Sequence, residues 1–373
     1  MKVLLTATVQ SHICQFHKPL VEMLHEHGCE VHIAARDNLA EKNGLKLDFA
    51  EKVFNVPFSR SPKSPDNLKA YRQLKKIIAE GHYDIIHCNT PMGGIVTRLA
   101  ARDARKNGTK VFYTAHGFHF YNGAPKKNWL VYYPIEKFFA EHYTDKLITI
   151  NQEDYECAKK KFKCRTEHIH GVGVNSDRYC PVSAKKQHEM RVKEGLTDDD
   201  FVILCTGELL PNKNQKTLIE AVNLCRDKIP NIKLLLAGNG PEKENLERQI
   251  VELGLQDKIK LLGYRTDLEK VAPCVDIIAS ASIREGLPLN IIEGMLCAKP
   301  VIASHNRGHN ELVEDGVTGY LVEAKSAEGF AEKIVKIANS NAQCIAEMNK
   351  NGYERIQKYT ADNVKKELNS IYY

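Results

Sequence analysis

Several features that define other protein classes are missing from this chain of 373 residues. No apolar run approaches the length of about 20 residues that a helix needs to cross a bilayer. The apolar residues 3–5 meet the polar residues 10–12 too soon to form the core of a secretory signal. Internal repeats and low-complexity tracts are also missing. The sequence therefore predicts a globular cytoplasmic protein.

The spacing typical of metal sites and disulfide frameworks is absent, although the chain has 11 cysteines and 15 histidines. There is no Cys-x-x-Cys pair and no matching histidine spacing. His12, His17, His25 and His27 fit a polar helix face better than a set of metal ligands. No Asp-x-Asp motif follows a strand, since residues 198–200 are typical of a solvated charged turn. We therefore expect no obligatory metal and no other cofactor.

Positive charge is concentrated in the first half of the chain. Residues 1–175 carry 26 Lys and Arg against 18 Asp and Glu (net +8), and residues 176–373 carry 27 against 29 (net −2). No nucleic-acid fold signature accompanies this charge, so we do not expect a nucleic-acid partner. We interpret the basic half as a surface for an anionic membrane or a pyrophosphate lipid, with ordinary surface charge as the open alternative.

Short β-type runs alternate with longer helical patterns, which is typical of parallel sheets covered by helices. The chain is too long for one ordinary core, so we expect two α/β domains, each Rossmann-like. The first predicted sheet has strands at residues 2–8, 30–35, 52–56, 84–88, 110–115, 146–150 and 167–170. The second has strands at residues 201–206, 233–237, 259–262, 276–279, 300–303 and 319–322.

A glycine-rich break at residues 171–181 ends in proline and predicts a linker. It lacks the third glycine of a dinucleotide fingerprint, which argues against a nicotinamide dehydrogenase. We expect the boundaries to be a domain at 1–172, a linker at 173–182, a second domain at 183–355 and a C-terminal helix at 356–373. Whether that helix crosses back to the first domain stays open.

Two glutamates stand eight positions apart within residues 282–295. Pro288 suits the first turn of a helix, and Gly286 allows an unusual backbone path just before it. We therefore expect Glu285 on a loop and Glu293 one to two turns into the helix. The unpaired N–H groups of a helix start attract phosphate, while carboxylates hold hydroxyl groups. The arrangement predicts a nucleotide-sugar site.

Two further sites follow predicted strands, where ligands of parallel sheets bind. The strand ending at Thr206 is followed by a turn at Gly207 and by Lys213 near a helix start, which suits a diphosphate. His116 follows the strand at residues 110–115. As a neutral imidazole it can hydrogen-bond a sugar or developing charge.

These segments resemble known motifs. Residues 285–293 resemble the Glu-seven-residues-Glu motif of the retaining glycosyltransferases of family 4, and residues 239–242, 263–265 and 306–319 are similar to that family's later loops. Residues 11–17, 115–121 and 307–309 resemble the branch that builds capsule, exopolysaccharide and O-antigen units on undecaprenyl diphosphate. The resemblance implies the GT-B fold, in which two Rossmann-like domains face each other across a cleft, with the acceptor on the first domain and the donor on the second.

The resemblance also implies residue roles. Glu285 and His116 are expected at the reacting sugar, and Glu293 at the ribose hydroxyls. The other expected donor-binding residues are Gly207, Lys213, Asn239, Tyr264, Arg265, Gly286 and Leu287. The acceptor-side candidates are Ser11, His12 and His119. Glu208 stands where the family usually has an arginine, which leaves one cation where two are usual.

The implied activity is retaining, metal-independent transfer of a hexose or N-acetylhexosamine. The donor is a UDP-sugar, and the acceptor is a saccharide linked to undecaprenyl diphosphate at the inner face of the plasma membrane. Two alternatives stay open: a UDP-sugar 2-epimerase, and a non-catalytic partner that binds sugar nucleotides. Glu208 and a first loop without the family's glycine pair favour the second alternative.

Overall fold

The computed structural model describes residues 1–42 and 44–373. The chain forms two compact units, one from residues 1–173 with 361–373 and one from residues 174–360. Each unit contains one parallel sheet covered by helices, which confirms the predicted pair of Rossmann-like domains. Each predicted strand is present, and its ends differ from the prediction by two residues at most.

The sheet of the first unit has seven parallel strands in the order β3-β2-β1-β4-β5-β6-β7. The strands are β1 (Lys2–Val9), β2 (Glu30–Arg36), β3 (Lys52–Asn55), β4 (Ile85–Asn89), β5 (Lys110–Ala115), β6 (Lys146–Thr149) and β7 (Thr166–His168). The helices are α1 (Gln10–Phe16), α2 (Lys18–Glu26), α3 (Asp66–Gly81), α4 (Pro91–Ala100), α5 (Arg102–Lys106), α6 (Lys126–Tyr143) and α7 (Gln152–Lys161), together with a helix from the chain end.

The central strands of this sheet are apolar along their whole length because helices cover both faces. In β1, Val3, Leu4 and Leu5 are fully buried although they point to alternate faces. On α3, Leu74 and Ile78 lie four positions apart and share the buried side of the helix. The apolar residues of the strands and those of the helices therefore pack into one core.

The last helix of the chain packs on α2 in the first unit. It spans Ala361–Tyr372, and its buried residues follow the helical period. Its Tyr372 hydroxyl hydrogen-bonds the buried His87 ring, and its Glu367 accepts from the backbone N–H of His170 at 2.8 Å. Among the described residues, no helix has both the length and the apolar character needed to cross a membrane.

The sheet of the second unit has six parallel strands in the order β10-β9-β8-β11-β12-β13. The strands are β8 (Phe201–Thr206), β9 (Ile232–Ala237), β10 (Ile259–Gly263), β11 (Ile277–Ser280), β12 (Val301–Ser304) and β13 (Gly319–Val322). The helices are α8 (Ala184–Glu194), α9 (Gln215–Cys225), α10 (Lys243–Glu252), α11 (Leu289–Leu296), α12 (Arg307–Leu312), α13 (Ala327–Ala338) and α14 (Ala342–Arg355), and the chain-end helix is α15.

Each sheet reverses its strand order at one place. In the first unit β1 lies beside β4, and in the second β8 lies beside β11. The connections on the two sides of such a switch point leave in opposite directions and open a crevice at the carboxyl ends of the strands. The loops after β8 and β11 carry Gly207, Lys213, Glu285, Gly286 and Leu287 of the predicted site residues.

Candidate active site

Lys213 and Glu285 meet at the switch point of the second unit. Lys213 follows β8 and Glu285 follows the neighbouring strand β11. The Lys213 Nζ atom lies 2.6 Å from Glu285 Oε1, and both side chains are mostly buried. A cation and a carboxylate held side by side can bind a diphosphate and sugar hydroxyls respectively. The structure thus brings together two residues that the sequence placed in one donor site.

The loop after β8 is fixed by close backbone packing. A Cβ atom on Gly238 would lie 1.9 Å from the Gly207 carbonyl oxygen, so only glycine fits there. Asn214 adopts a left-handed conformation, and its amide nitrogen donates to the carbonyl oxygens of Ala281 and Ala324 at 3.2 and 2.6 Å. These bonds hold Asn214, which lies between Lys213 and the start of α9.

The Glu285 loop packs against the start of α12. A Cβ atom on Gly308 would lie 2.9 Å from Glu285 Cβ and 3.0 Å from the Gly286 carbonyl oxygen. Arg307 donates its Nε–H to the Glu285 carbonyl oxygen at 3.4 Å, which places a second cation beside this loop. A side chain at position 308 would therefore displace the loop that carries Glu285.

The prediction that Pro288 lies in the first turn of α11 is wrong. The helix begins at Leu289, and Pro288 precedes it with a ψ of 113°. A residue in this position keeps an extended backbone while its carbonyl group already faces the helix. Leu287 is buried directly before it. Glu293 still lies in the second turn of α11, as expected.

Glu293 is hydrogen-bonded to Tyr179, whereas Glu285 is paired with Lys213. Burial raises the pKa of Glu293 to about 7, and the hydrogen bond from Tyr179 and the charge of Arg178 oppose this shift in part. A carboxyl group with such a pKa changes its charge near neutral pH. The two glutamates of the motif therefore have different environments within the same unit.

The remaining predicted donor residues have varied surroundings. Arg265 binds both carboxylate oxygens of Glu194 at 2.9 Å and also contacts Asp267 at 2.7 Å, which favours a structural role. Asn239 is exposed, and its carbonyl oxygen accepts from Leu209 at 2.9 Å. Tyr264 follows the end of β10. Ligand contacts of these three residues stay predictions.

His116 emerges at the end of β5 in the first unit, as the sequence predicts. Its Nε2 atom lies 3.1 Å from Asn89 Oδ1 and 3.3 Å from His12 Nε2. Asn89 ends β4 and His12 lies in α1 directly after β1, so the three residues come from adjacent strands. Burial lowers the pKa of His116 to about 4, which keeps its ring neutral at pH 7.

A strained residue borders this group. Thr90 has φ 64° and ψ 148°, an unusual conformation for a β-branched residue. Its hydroxyl lies 2.7 Å from the Thr8 hydroxyl and accepts from the Thr8 backbone N–H at 3.1 Å. Such backbone strain costs about 1–3 kcal/mol and persists where neighbouring contacts enforce it. The contacts fix the loop after Asn89.

The other acceptor-side candidates have defined contacts. Ser11 is buried, and its hydroxyl accepts from the Asn38 amide at 2.9 Å, so it joins α1 to the segment after β2. The His119 ring stacks on Tyr132 of α6 with ring centres 4.7 Å apart. Neither arrangement brings Ser11 or His119 into the His12 and His116 pair.

The expectation that the early histidines form one polar helix face is wrong for His17. Its ring is buried, whereas His25 and His27 are exposed. His17 follows the last residue of α1 and points into the unit, because α1 and α2 are separate short helices. Its ring lies 5.3 Å from the rings of both His12 and His116, measured between ring centres.

Comparisons with known proteins identify the family. Residues 2–151 match the family described as Glycosyl transferase 4-like, and residues 186–355 match Glycosyl transferases group 1. The Bacillus subtilis (strain 168) protein EpsD is 42% identical over 373 residues, covering 100% of this chain and 96% of that protein. The chain is a glycosyltransferase of this family.

Two more proteins are similar to this glycosyltransferase, one in sequence and one in structure. An Escherichia coli protein named UDP-Gal:alpha-D-GlcNAc-diphosphoundecaprenol alpha-1,3-galactosyltransferase is 29% identical over 309 residues, covering 81% of this chain and 79% of that protein. The crystal structure of Anabaena Alr3699/HepE in complex with UDP and glucose has a TM-score of 0.81 at 23% identity, covering 100% of this chain and 99% of that one. This similarity confirms the GT-B fold.

Sequence reasoning did not assign two buried residues of the glycosyltransferase, Asn89 and His309, to the site, although residues 307–309 carried part of the resemblance. Asn89 follows a predicted strand and directly precedes Thr90 and Pro91. This position at the end of a strand could have indicated a site residue. His309 is fully buried, and its Nδ1 donates to the Ser304 carbonyl oxygen at 2.7 Å. Burial lowers the pKa of His309 to about 4, while the nearby Glu285 charge acts in the opposite direction. Only the tertiary packing shows that His309 lies near Glu285.

Proposed function

We propose that this glycosyltransferase transfers a hexose or an N-acetylhexosamine, with retention of configuration, from a UDP-sugar to a saccharide linked to a lipid pyrophosphate. The single observation that carries the proposal is the Lys213 and Glu285 pair at the switch point of the second unit. It offers a positive charge for a diphosphate beside a carboxylate for sugar hydroxyls. The names of the E. coli relative and of the UDP-bound HepE structure support the donor and acceptor classes.

In this proposal the diphosphate binds Lys213 at the start of α9. Helix starts favour anions because their first N–H groups lack partners within the helix. Glu285 is then released from Lys213 and accepts hydrogen bonds from the donor sugar. As the bond between sugar and diphosphate breaks, negative charge builds on the departing phosphate, and Lys213 stabilises it. Retention follows when that phosphate assists attack from the same face of the sugar.

Arg307 supplies the second cation that Glu208 does not provide. The Arg307 guanidinium lies beside the Glu285 loop. Glu208 follows β8 in the chain, and its side chain is exposed. A guanidinium can bind phosphate oxygens through two parallel hydrogen bonds. We therefore assign charge compensation in the donor site to Lys213 and Arg307 together.

The acceptor lipid fits an exposed apolar face of α6. Leu130 is 77% exposed and Phe138 is 48% exposed, and Val131 and Ile135 lie between them with exposures of 52% and 41%. Lys126 and Lys127 at the start of the helix are exposed as well. Apolar side chains beside lysines suit the surface of an anionic membrane. We therefore propose a peripheral location at the inner face of the plasma membrane.

The proposal is tested by a transfer assay with the purified full chain. A panel of UDP-sugars is combined with a synthetic undecaprenyl-pyrophosphate-linked saccharide, and both released UDP and the extended lipid are measured. We expect one donor to give product with the donor's anomeric configuration, read by NMR. Glu285→Gln and His116→Gln are expected to reduce turnover by on the order of 100-fold or more. Glu247→Gln on α10 is the exposed control.

Other outcomes contradict the proposal in distinct ways. A free epimerised UDP-sugar formed without acceptor indicates an epimerase. UDP binding with no turnover for any donor and acceptor indicates a non-catalytic partner. Full turnover by both Glu285→Gln and His116→Gln shows that the site is assigned to the wrong residues.

A further inference from the structure

Three histidines converge in the first unit although the sequence scatters them. One ring nitrogen each from His12, His17 and His116 lies within 4.8 Å of those of the other two. His12 belongs to α1, His17 follows it, and His116 follows β5. We define these three residues as the histidine cluster. It lies beside Asn89, at the carboxyl ends of the central strands.

Hydrogen bonds do not satisfy the cluster completely. Asn89 donates its amide nitrogen to the Thr6 carbonyl oxygen at 3.3 Å, so Asn89 Oδ1 faces His116 Nε2 as an acceptor. The buried His17 Nε2 atom has no hydrogen-bond partner within residues 1–42 and 44–373. A buried ring nitrogen without a partner carries an uncompensated desolvation cost. This cost points to a ligand that accepts lone pairs.

We propose that the histidine cluster is a binding site for a divalent metal ion that prefers imidazole ligands, of which Zn²⁺ is the probe of choice. Tetrahedral Zn²⁺ with Zn–N distances of about 2.0–2.1 Å holds its ligand nitrogens about 3.3–3.4 Å apart. His12 Nε2 and His116 Nε2 already have a separation of 3.3 Å. The His17 nitrogen lies within 4.8 Å of the other two and must move closer to complete a three-nitrogen site with an open fourth position.

The chemistry of the ligands selects the ion. Neutral imidazoles suit Zn²⁺, Co²⁺, Ni²⁺ and Cu²⁺, whereas Mg²⁺ requires oxygen ligands. A bound ion takes the Nε2 lone pair of His116, which requires the ring proton to move to Nδ1 and breaks the hydrogen bond to Asn89 Oδ1. Zn²⁺ is therefore expected to suppress glycosyl transfer, an effect that depends on the proposed function.

Binding itself is tested independently of activity. The full chain is stripped with a chelator, and Zn²⁺ and Mg²⁺ are titrated by calorimetry. We expect one Zn²⁺ per chain, a raised Tm and no Mg²⁺ binding. His12→Gln and His17→Gln should weaken Zn²⁺ binding on the order of 10- to 100-fold. His188→Gln, which removes an exposed histidine paired with Asp198, should leave it unchanged.

Co²⁺ gives a second readout that does not depend on the stability of one variant. A Co²⁺ ion in a four-coordinate site with nitrogen ligands absorbs in the visible range, while cysteine ligation adds a sulfur charge-transfer band in the near ultraviolet. We expect the first signal without the second, and its loss in His12→Gln. Zn²⁺ binding that persists in both cluster variants, sulfur ligation of Co²⁺, or no Zn²⁺ binding by the unaltered chain would each overturn the proposal.

Discussion

Lys213 Nζ contacts Glu285 Oε1 at 2.6 Å although 72 positions separate the two residues in the chain. The pair links the loops that follow β8 and β11, which are neighbouring strands. Without a donor, each residue neutralises the other's charge. A diphosphate that takes over Lys213 therefore changes the environment of Glu285 at the same time.

The two partners should respond in opposite ways to a neutral substitution. Lys213→Gln removes a charged hydrogen bond worth about 1.5–3 kcal/mol and should weaken UDP binding on the order of 10- to 100-fold. Glu285→Gln removes the competitor for Lys213 and should tighten UDP binding while it strongly reduces sugar transfer. Calorimetric titration with UDP measures the UDP affinity of each variant. Equal UDP affinities in both variants would contradict competition between Glu285 and the diphosphate.

Arg307→Gln should weaken UDP binding by a smaller factor. A guanidinium at the edge of the site contributes about 0.5–1.5 kcal/mol, so we expect an approximately 3- to 10-fold loss of affinity. The dependence of UDP binding on salt should also become less steep, because one cation is lost. Arg248→Gln on α10 is the exposed control. An unchanged affinity and salt dependence would remove Arg307 from the donor site.

The stability of the second unit should depend on the charge of Glu293. Burial raises the pKa of Glu293 from 4.5 to about 7. The protonated form is therefore favoured in the folded state, so the contribution to stability is complete below pH 4.5 and is lost as the pH rises through 7. Glu293→Gln should remove this loss. Urea unfolding at pH 5 and pH 8 should show the variant gaining stability relative to the unaltered chain as the pH rises.

The first unit should be sensitive to acid through His87. Burial lowers the pKa of His87 from 6.5 to about 3. The neutral ring is favoured in the folded state, so its contribution is complete above pH 6.5 and is lost as the pH falls. The loss amounts to about 2 kcal/mol between pH 6.5 and pH 5. Urea unfolding in the presence of chelator should show a flatter pH dependence for His87→Gln than for the exposed control His25→Gln.

Membrane binding should depend on the exposed face of α6. Leu130→Glu together with Phe138→Glu should abolish flotation with vesicles of phosphatidylglycerol and phosphatidylethanolamine, because charged groups oppose insertion into the apolar layer. Val251→Glu in the second unit is the control, since Val251 is 59% exposed. Flotation that is equal in all three proteins would exclude α6 as the membrane contact.

Local pattern was sufficient for the regular elements. The apolar run at Phe201–Thr206 gives β8 with both ends as predicted, because strands covered on both faces need apolar residues throughout. The start of α11 was misplaced by one position, since Pro288 is compatible with both the first turn and the residue before it. Element ends depend on single backbone angles, which residue type restricts only loosely.

The side-chain partners required information that no local pattern contains. Glu293 and Tyr179 are far apart in sequence, and the motifs that contain them do not indicate that the two residues interact. The engagement of Arg265 by Glu194 likewise depends on where α8 packs. Such contacts arise from the packing of whole elements, so they follow the tertiary fold.

The sequence by itself predicted the strands of both sheets and the loops that carry Lys213, Glu285 and His116, because periodicity and turn residues act over short stretches of chain. Only the tertiary structure decided which loops meet. The strand order places β8 beside β11, and the break between α1 and α2 turns His17 inward to His12 and His116. Burial and hydrogen bonding then set the charge of each group, and both depend on neighbours distant in sequence.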